Sequence, residues 1–130
     1  MEIIGNQNRI ISHEVSTDPV ERLAIEVALE QGLIVYEAPM IKIVREKLRK
    51  GDKRSTVPDL LVLCSTDDPG IFVEVTIRNA KAARKNRQEA VMREAGLINR
   101  YAQVNASDIT QAKEEGFYNM LLRKILERDS

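Results

Sequence analysis

Apolar positions along the chain follow two rhythms, one recurring every third or fourth residue and one every second. Val20, Leu23, Ala24, Val27 and Ala28 carry the helical rhythm between Asp18-Pro19 and Gly32. Asp18 suits an N-cap, Pro19 the first helical position, and Glu21 falls at N3, so a helix is predicted over residues 19–31 with Gly32 ending it. The run 33–36 is apolar and short, which predicts a strand. Residues 39–50 read either as a helix closed by Gly51 or, through Ile41, Ile43 and Val44, as a strand. The run Asp59-Leu60-Leu61-Val62-Leu63-Cys64 is almost wholly apolar, the signature of a strand buried on both faces. Thr66-Asp67-Asp68-Pro69-Gly70 is a turn, and the β-branched run 71–77 is the next strand.

A helix over 80–95 stopped by Gly96, a strand over 101–104, a helix capped by Asp108 and interrupted by Gly116, and an amphipathic helix over 117–127 complete the pattern. Near the start, Ile3-Ile4 and Ile10-Ile11 flank Gly5-Asn6-Gln7-Asn8, which predicts a hairpin or arm over 1–15. The expected fold class is α/β: a mixed central sheet flanked by helices, in one domain over 1–130.

Composition agrees with a packed domain. Of 130 residues, 43% are hydrophobic and 31% charged. One cysteine excludes a disulfide framework, and no Cys/His cluster has the spacing of a structural zinc site. No apolar run approaches the roughly 20 residues of a membrane span, and the first residues lack the layout of a secretory signal, so the expected location is cytoplasmic.

Net charge is zero, but the charges are partitioned. Residues 14–37 hold six acids against Arg22, whereas 42–54 hold seven basic residues, Lys42, Arg45, Lys53 and Arg54 among them, against two acids. A second basic block, 78–93, includes Arg78, Lys81, Arg84 and Lys85. Two such blocks are either a surface for a polyanion or ordinary solvated helix faces.

Two acids interrupt the apolar strands. Asp59 opens one, after Pro58, and Glu74 sits within the next, between Val73 and Val75. A carboxylate inside an apolar strand is costly to bury without compensation. The turn at 66–70 makes the two strands antiparallel neighbours, which can bring both acids close, and a hard divalent cation would relieve their repulsion. Each also has a plain structural alternative: Asp59 as a cap on a backbone N–H, Glu74 as an edge charge or half of an ion pair. Glu21 lies on the apolar arc of its helix as a third candidate, although Asp18 with Glu21 also fits a capping box.

The succession of Glu21, Gly32, Pro58-Asp59-Leu60-Leu61-Val62 and Phe72-Val73-Glu74-Val75-Thr76 resembles the PD-(D/E)xK nuclease superfamily, with its restriction-endonuclease-like core of order α-β-β-β-α-β, and is most similar to small Holliday-junction resolvases. The resemblance covers residues 19–104. It implies a metal-dependent endonuclease hydrolysing phosphodiester bonds in DNA, structured or branched DNA included. It implies that Asp59, Glu74 and the Val75 carbonyl bind Mg²⁺, with Mn²⁺ a substitute, and that Glu21 binds through water or holds a second ion.

One position departs from the motif, because the family's lysine is Thr76 here. Either activity is lost, leaving a nucleic-acid-binding or assembly module, or another lysine replaces it. Val91, Met92 and Ala95 form the stripe that should pack on the sheet, and continuing it backwards gives Gln88, Lys85 and Lys81. Lys85 is the first candidate cation and Lys81 the second, with Lys53 third; Gln88 matches a glutamine that some relatives carry on this helix. Lys42, Arg45, Lys53, Arg54, Arg78, Arg84 and Gln88 are the candidate contacts to nucleic acid. A lone domain of this length covers little DNA, so a homodimer is expected. His13 has no recognisable catalytic partners, and Cys64, ending a buried strand, is expected in the core.

Overall fold

The computed structural model describes residues 2–4, 18–37, 40–42, 55–76 and 82–129, with backbone alone at 2–4, 40–42, 55, 82–85 and 129. In chain order the elements are β1 (Glu2–Ile4), α1 (Pro19–Glu30), β2 (Ile34–Glu37), β3 (Met40–Lys42), β4 (Ser55–Thr56), β5 (Leu60–Leu63), β6 (Ile71–Val75), α2 (Ala82–Glu94), β7 (Tyr101–Val104), α3 (Ala106–Glu115) and α4 (Phe117–Asp129).

The helix boundaries follow from local chemistry. Asp18 Oδ1 accepts from the N–H groups of Val20 at 2.8 Å and Glu21 at 3.2 Å, satisfying donors that a first turn leaves open. At the other end of α1, Gly32 N–H donates to the Leu29 carbonyl and Leu33 N–H to that of Ala28, a Schellman closure. The end of α2 repeats it, with Gly96 bonded to Arg93 and Leu97 to Met92. The cap of α3 differs from expectation. Asn105 is the N-cap, and Asp108, at N3, returns a hydrogen bond to the Asn105 N–H at 3.0 Å. Asp108 is thus the far half of a capping box whose first half the sequence reading overlooked.

β2, β5, β6 and β7 lie side by side in that order. The first three are antiparallel neighbours and β7 runs parallel to β6, across the α2 crossover. Alternation along the strands divides the interior in two. Val35, Leu60, Val62, Ile71, Val73, Val75, Ala102 and Val104 face α1, α3 and α4. Leu61, Leu63, Phe72 and Tyr101 face Met92 of α2 and Leu97 beyond it. The fold is therefore mixed α/β with a four-stranded open sheet between helical layers, and β5 is buried on both faces as its composition predicts. No helix among the described residues is long and apolar enough to cross a membrane.

A second, three-stranded antiparallel sheet has the order β1-β3-β4. Of the two readings for residues 39–50, the strand holds over Met40–Lys42, and the remainder lies outside the described residues. Ile3 pairs with Ile41, while the other half of the expected hairpin, Ile10-Ile11, lies outside the described residues together with His13.

The β5–β6 turn is organised by Asp68. Its carboxylate accepts from Cys64 N–H at 2.9 Å, Gly70 N–H at 3.1 Å and the Tyr118 hydroxyl at 2.7 Å, tying the turn to α4. Partial burial pushes the Asp68 carboxyl upward, but these bonds to the charged form outweigh it and hold the group down at about 2. The unfolded value lies near 3.9. The charged carboxylate therefore contributes stability that is complete above about pH 4 and lost as pH falls towards about 2. Thermal melts between pH 7 and 2 should show wild type losing more stability than Asp68→Asn, with the difference arising below about pH 4; parallel losses would contradict this role. Cys64 corrects an expectation: β5 stops at Leu63, and Cys64 is exposed, its thiol pushed up by the hydrogen bond and charge of Asp68 and so a poor nucleophile.

Candidate functional site

The register of the β5–β6 pair, Leu60 opposite Val73 and Leu61 opposite Phe72, continues to set Asp59 opposite Glu74. Asp59 lies just before β5, after the buried Pro58, and its Oδ2 accepts from Val75 N–H at 2.7 Å. That bond draws its carboxylate onto the Glu74–Val75 backbone. Glu74 alternates with Val73 and Val75, which face the α1 side, so its side chain lies on the α2 side with Phe72. It is only 9% exposed. On its other flank the parallel pairing sets Gln103 of β7 beside it. Asp59, Glu74 and Gln103 thus form a polar row across three strands, at the end of a sheet otherwise lined by Leu61, Phe72 and Tyr101.

Tyr101 and Gln88 adjoin this row. The Tyr101 hydroxyl donates to Gln88 Oε1 of α2 and accepts from Gln103 Nε2 at 3.1 Å. Burial pushes the phenol well above the usual tyrosine range, and the Glu74 and Glu89 charges add to this against the Gln103 hydrogen bond and Arg128. The Arg128 guanidinium, reaching from α4, donates to the Tyr101 and Ile98 carbonyls at 2.5 Å each and closes that stretch of the β7 edge.

Glu21 is half-buried at N3 of α1. Among the described residues no three His, Cys, Asp or Glu side chains form a group able to hold a metal ion directly. The buried arc of α1 packs on the face of the sheet opposite Phe72 and Tyr101.

Thr76, at the motif's lysine position, is tied down. Its N–H and its hydroxyl both donate to the Val104 carbonyl, at 2.7 and 3.0 Å, joining β6 to β7 just past the last strand residue. The predicted stripe of α2 is observed, with Gln88, Val91 and Met92 buried and Ala95 packed against the same cluster. Lys85 belongs to α2, one turn before Gln88. The side chains of Lys85, Arg84 and Lys42 lie outside the described set, as do Lys81, Arg45, Lys53, Arg54 and Arg78 entirely.

Sequence reasoning missed Tyr101 and Gln103. The signal was the alternation in Tyr101-Ala102-Gln103-Val104, which puts two polar groups on the face that Glu74 shares. The donors gathered here, two carboxylates and adjacent backbone, are hard oxygen ligands of the kind that suit Mg²⁺. No family model, no characterised protein and no solved structure matches the chain.

Proposed function

We propose that the chain is a Mg²⁺-dependent endodeoxyribonuclease of the PD-(D/E)xK type, working as a homodimer on DNA, structured or branched DNA included. The observation that carries this reading is the Asp59–Glu74 pair: Asp59, just before β5, falls opposite Glu74 of β6 where the register continues, with Asp59 bonded to the Val75 N–H and Glu74 buried. The order α1-β2-β5-β6-α2-β7, with β7 parallel to β6, supports it, being the α-β-β-β-α-β order that the resemblance implies.

Asp59, Glu74 and the Val75 carbonyl would hold the ion, a set with few carboxylates that leaves room for waters and a phosphate. When bound, Mg²⁺ supplies an acidified water and positive charge for the phosphate oxygens. Asp59 is oriented by the Val75 N–H, which leaves Oδ1 as the carboxylate oxygen turned from that bond. Thr76 cannot supply the motif's positive charge, because a hydroxyl is neutral and this one is spent on Val104. Lys85 is the first replacement, one turn from the buried Gln88, followed by Lys81 and Lys53.

Plasmid or branched DNA should be cut in Mg²⁺ and spared in EDTA. Lys85→Ala should slow cleavage by at least about a hundredfold, on the order of 3 kcal/mol of transition-state stabilisation, with little loss of DNA binding. If wild type cuts and Lys85→Ala and Lys81→Ala cut equally well, the replacement lysine is wrong. The engagement of the Thr76 hydroxyl favours a second reading, a catalytically inactive nucleic-acid-binding or assembly module of the same fold. An inert wild type that gains cleavage through Thr76→Lys decides for that reading.

A further inference from the structure

The buried amide of Gln88 has a donor to spare. Gln88 is 6% exposed, and its Oε1 accepts the hydrogen of the fully buried Tyr101 hydroxyl. A phenol has one hydrogen to give. Gln103 Nε2 supplies the bond to the phenol oxygen, so the phenol hydrogen goes to Gln88 and fixes which end of the amide meets Tyr101. The Nε2 hydrogens of Gln88 are turned away from Tyr101, and they have no hydrogen-bond partner among the described residues. An unmet buried donor costs about 1–3 kcal/mol. Such a group in a folded chain calls for an explanation, and a bound ligand is one.

Its surroundings point to the ligand. Gln103, which orders the phenol, pairs with Glu74, and the Glu74 charge is felt at the phenol itself. Gln88 therefore stands beside the acidic row on the side from which α2 covers the sheet. Carboxylates repel a phosphate, and a neutral, directional N–H donor next to them can receive one of its oxygens. Offered carbonyl-first, the same amide would repel it.

We propose that Tyr101 is a positioning residue, turning the Gln88 amide so that its Nε2 hydrogens meet a phosphate oxygen of DNA bound at the Asp59–Glu74 pair. This rests on the nuclease reading of that pair. Gln103 sets the direction of the relay by occupying the phenol oxygen.

The test compares wild type, Tyr101→Phe, Gln88→Glu, Gln88→Ala and the double variant Tyr101→Phe/Gln88→Ala. Each is assayed for plasmid cleavage in Mg²⁺ and for binding of fluorescein-labelled duplex DNA in Ca²⁺ by anisotropy. Tyr101→Phe keeps the ring in the apolar layer but leaves the Gln88 carbonyl without its donor, so it should melt a few degrees lower and cut about tenfold more slowly. Gln88→Glu still accepts the phenol hydrogen but has no donor, and should be at least as slow. The double variant should be no slower than Gln88→Ala, because both changes remove the same contact. Wild-type rates in Tyr101→Phe or in Gln88→Glu overturn the inference, as does a double variant whose losses simply multiply. A wild type that binds DNA without cutting it overturns the catalytic reading alone. The positioning role is then upheld if Tyr101→Phe and Gln88→Glu each weaken binding about tenfold and overturned if they do not. A wild type that neither binds nor cuts overturns both.

Discussion

Asp59→Asn should yield a folded protein whose Mg²⁺-dependent cleavage is about a thousandfold slower or worse, on the order of 4 kcal/mol of lost transition-state stabilisation. The amide oxygen can still accept from Val75 N–H, so the strand end keeps its bond, while the charge that attracts a hard cation is gone. Asp59→Ala behaves differently. On charge alone, removing one of two neighbouring carboxylates leaves the fold unharmed or improves it, but the 2.7 Å bond to Val75 N–H reverses that expectation. Without it a main-chain donor loses its partner, which costs about 1–3 kcal/mol. Plasmid nicking and thermal melts separate the two effects: Asp59→Asn loses cleavage with an unchanged melting temperature, and Asp59→Ala loses both. An Asn variant that cuts at the wild-type rate removes Asp59 from the chemistry and leaves it as a strand cap.

Gly70→Ala should cost about 2–5 kcal/mol, lowering the melting temperature by about 10 °C or more. Two effects add. Gly70 has φ +88°, in the left-handed region that a Cβ disfavours by about 1–2 kcal/mol. A methyl group there would also lie 2.8 Å from Leu61 Cδ1, 2.9 Å from Leu63 Cδ1 and 3.1 Å from the Val62 carbonyl oxygen. Those leucines belong to the packed α2-side layer and have little room to yield, so overpacking adds about 1–3 kcal/mol. Gly32→Ala is the internal control: φ is +77° but nothing lies within 4 Å of the added carbon, so only the conformational part of about 1–2 kcal/mol applies. Equal melting temperatures for the two variants would show that the leucines yield freely and the steric argument is wrong.

The sequence by itself determined the elements whose causes are local. Asp18-Pro19 begins α1 because a side-chain oxygen and a fixed φ act within one turn. Gly32 and Gly96 end their helices because the closing backbone bonds span only a few residues. The uninterrupted Leu60-Leu61-Val62-Leu63 run reads as a strand because both its faces must be covered, and the turn at 66–70 makes it a hairpin with β6, which is why the approach of Asp59 to Glu74 is legible in the sequence. The competition of Asn105 with Asp108 for the cap of α3 was not, since both residue types suit both roles.

Tertiary structure alone decided the rest, where partners are distant in the chain. Periodicity says nothing about which face of the sheet a helix covers, and only the packing shows α1 on the face opposite Phe72 and Tyr101. Thr76 read as a missing lysine; only the parallel placement of β7 reveals that its hydroxyl bridges to Val104. Tyr101 and Gln88 are 13 residues apart, and nothing in the local pattern links the candidate nucleic-acid contact Gln88 to that tyrosine. Their hydrogen bond arises because α2 crosses over β7 and burial excludes the water that would otherwise satisfy them, a consequence of packing that no local pattern carries.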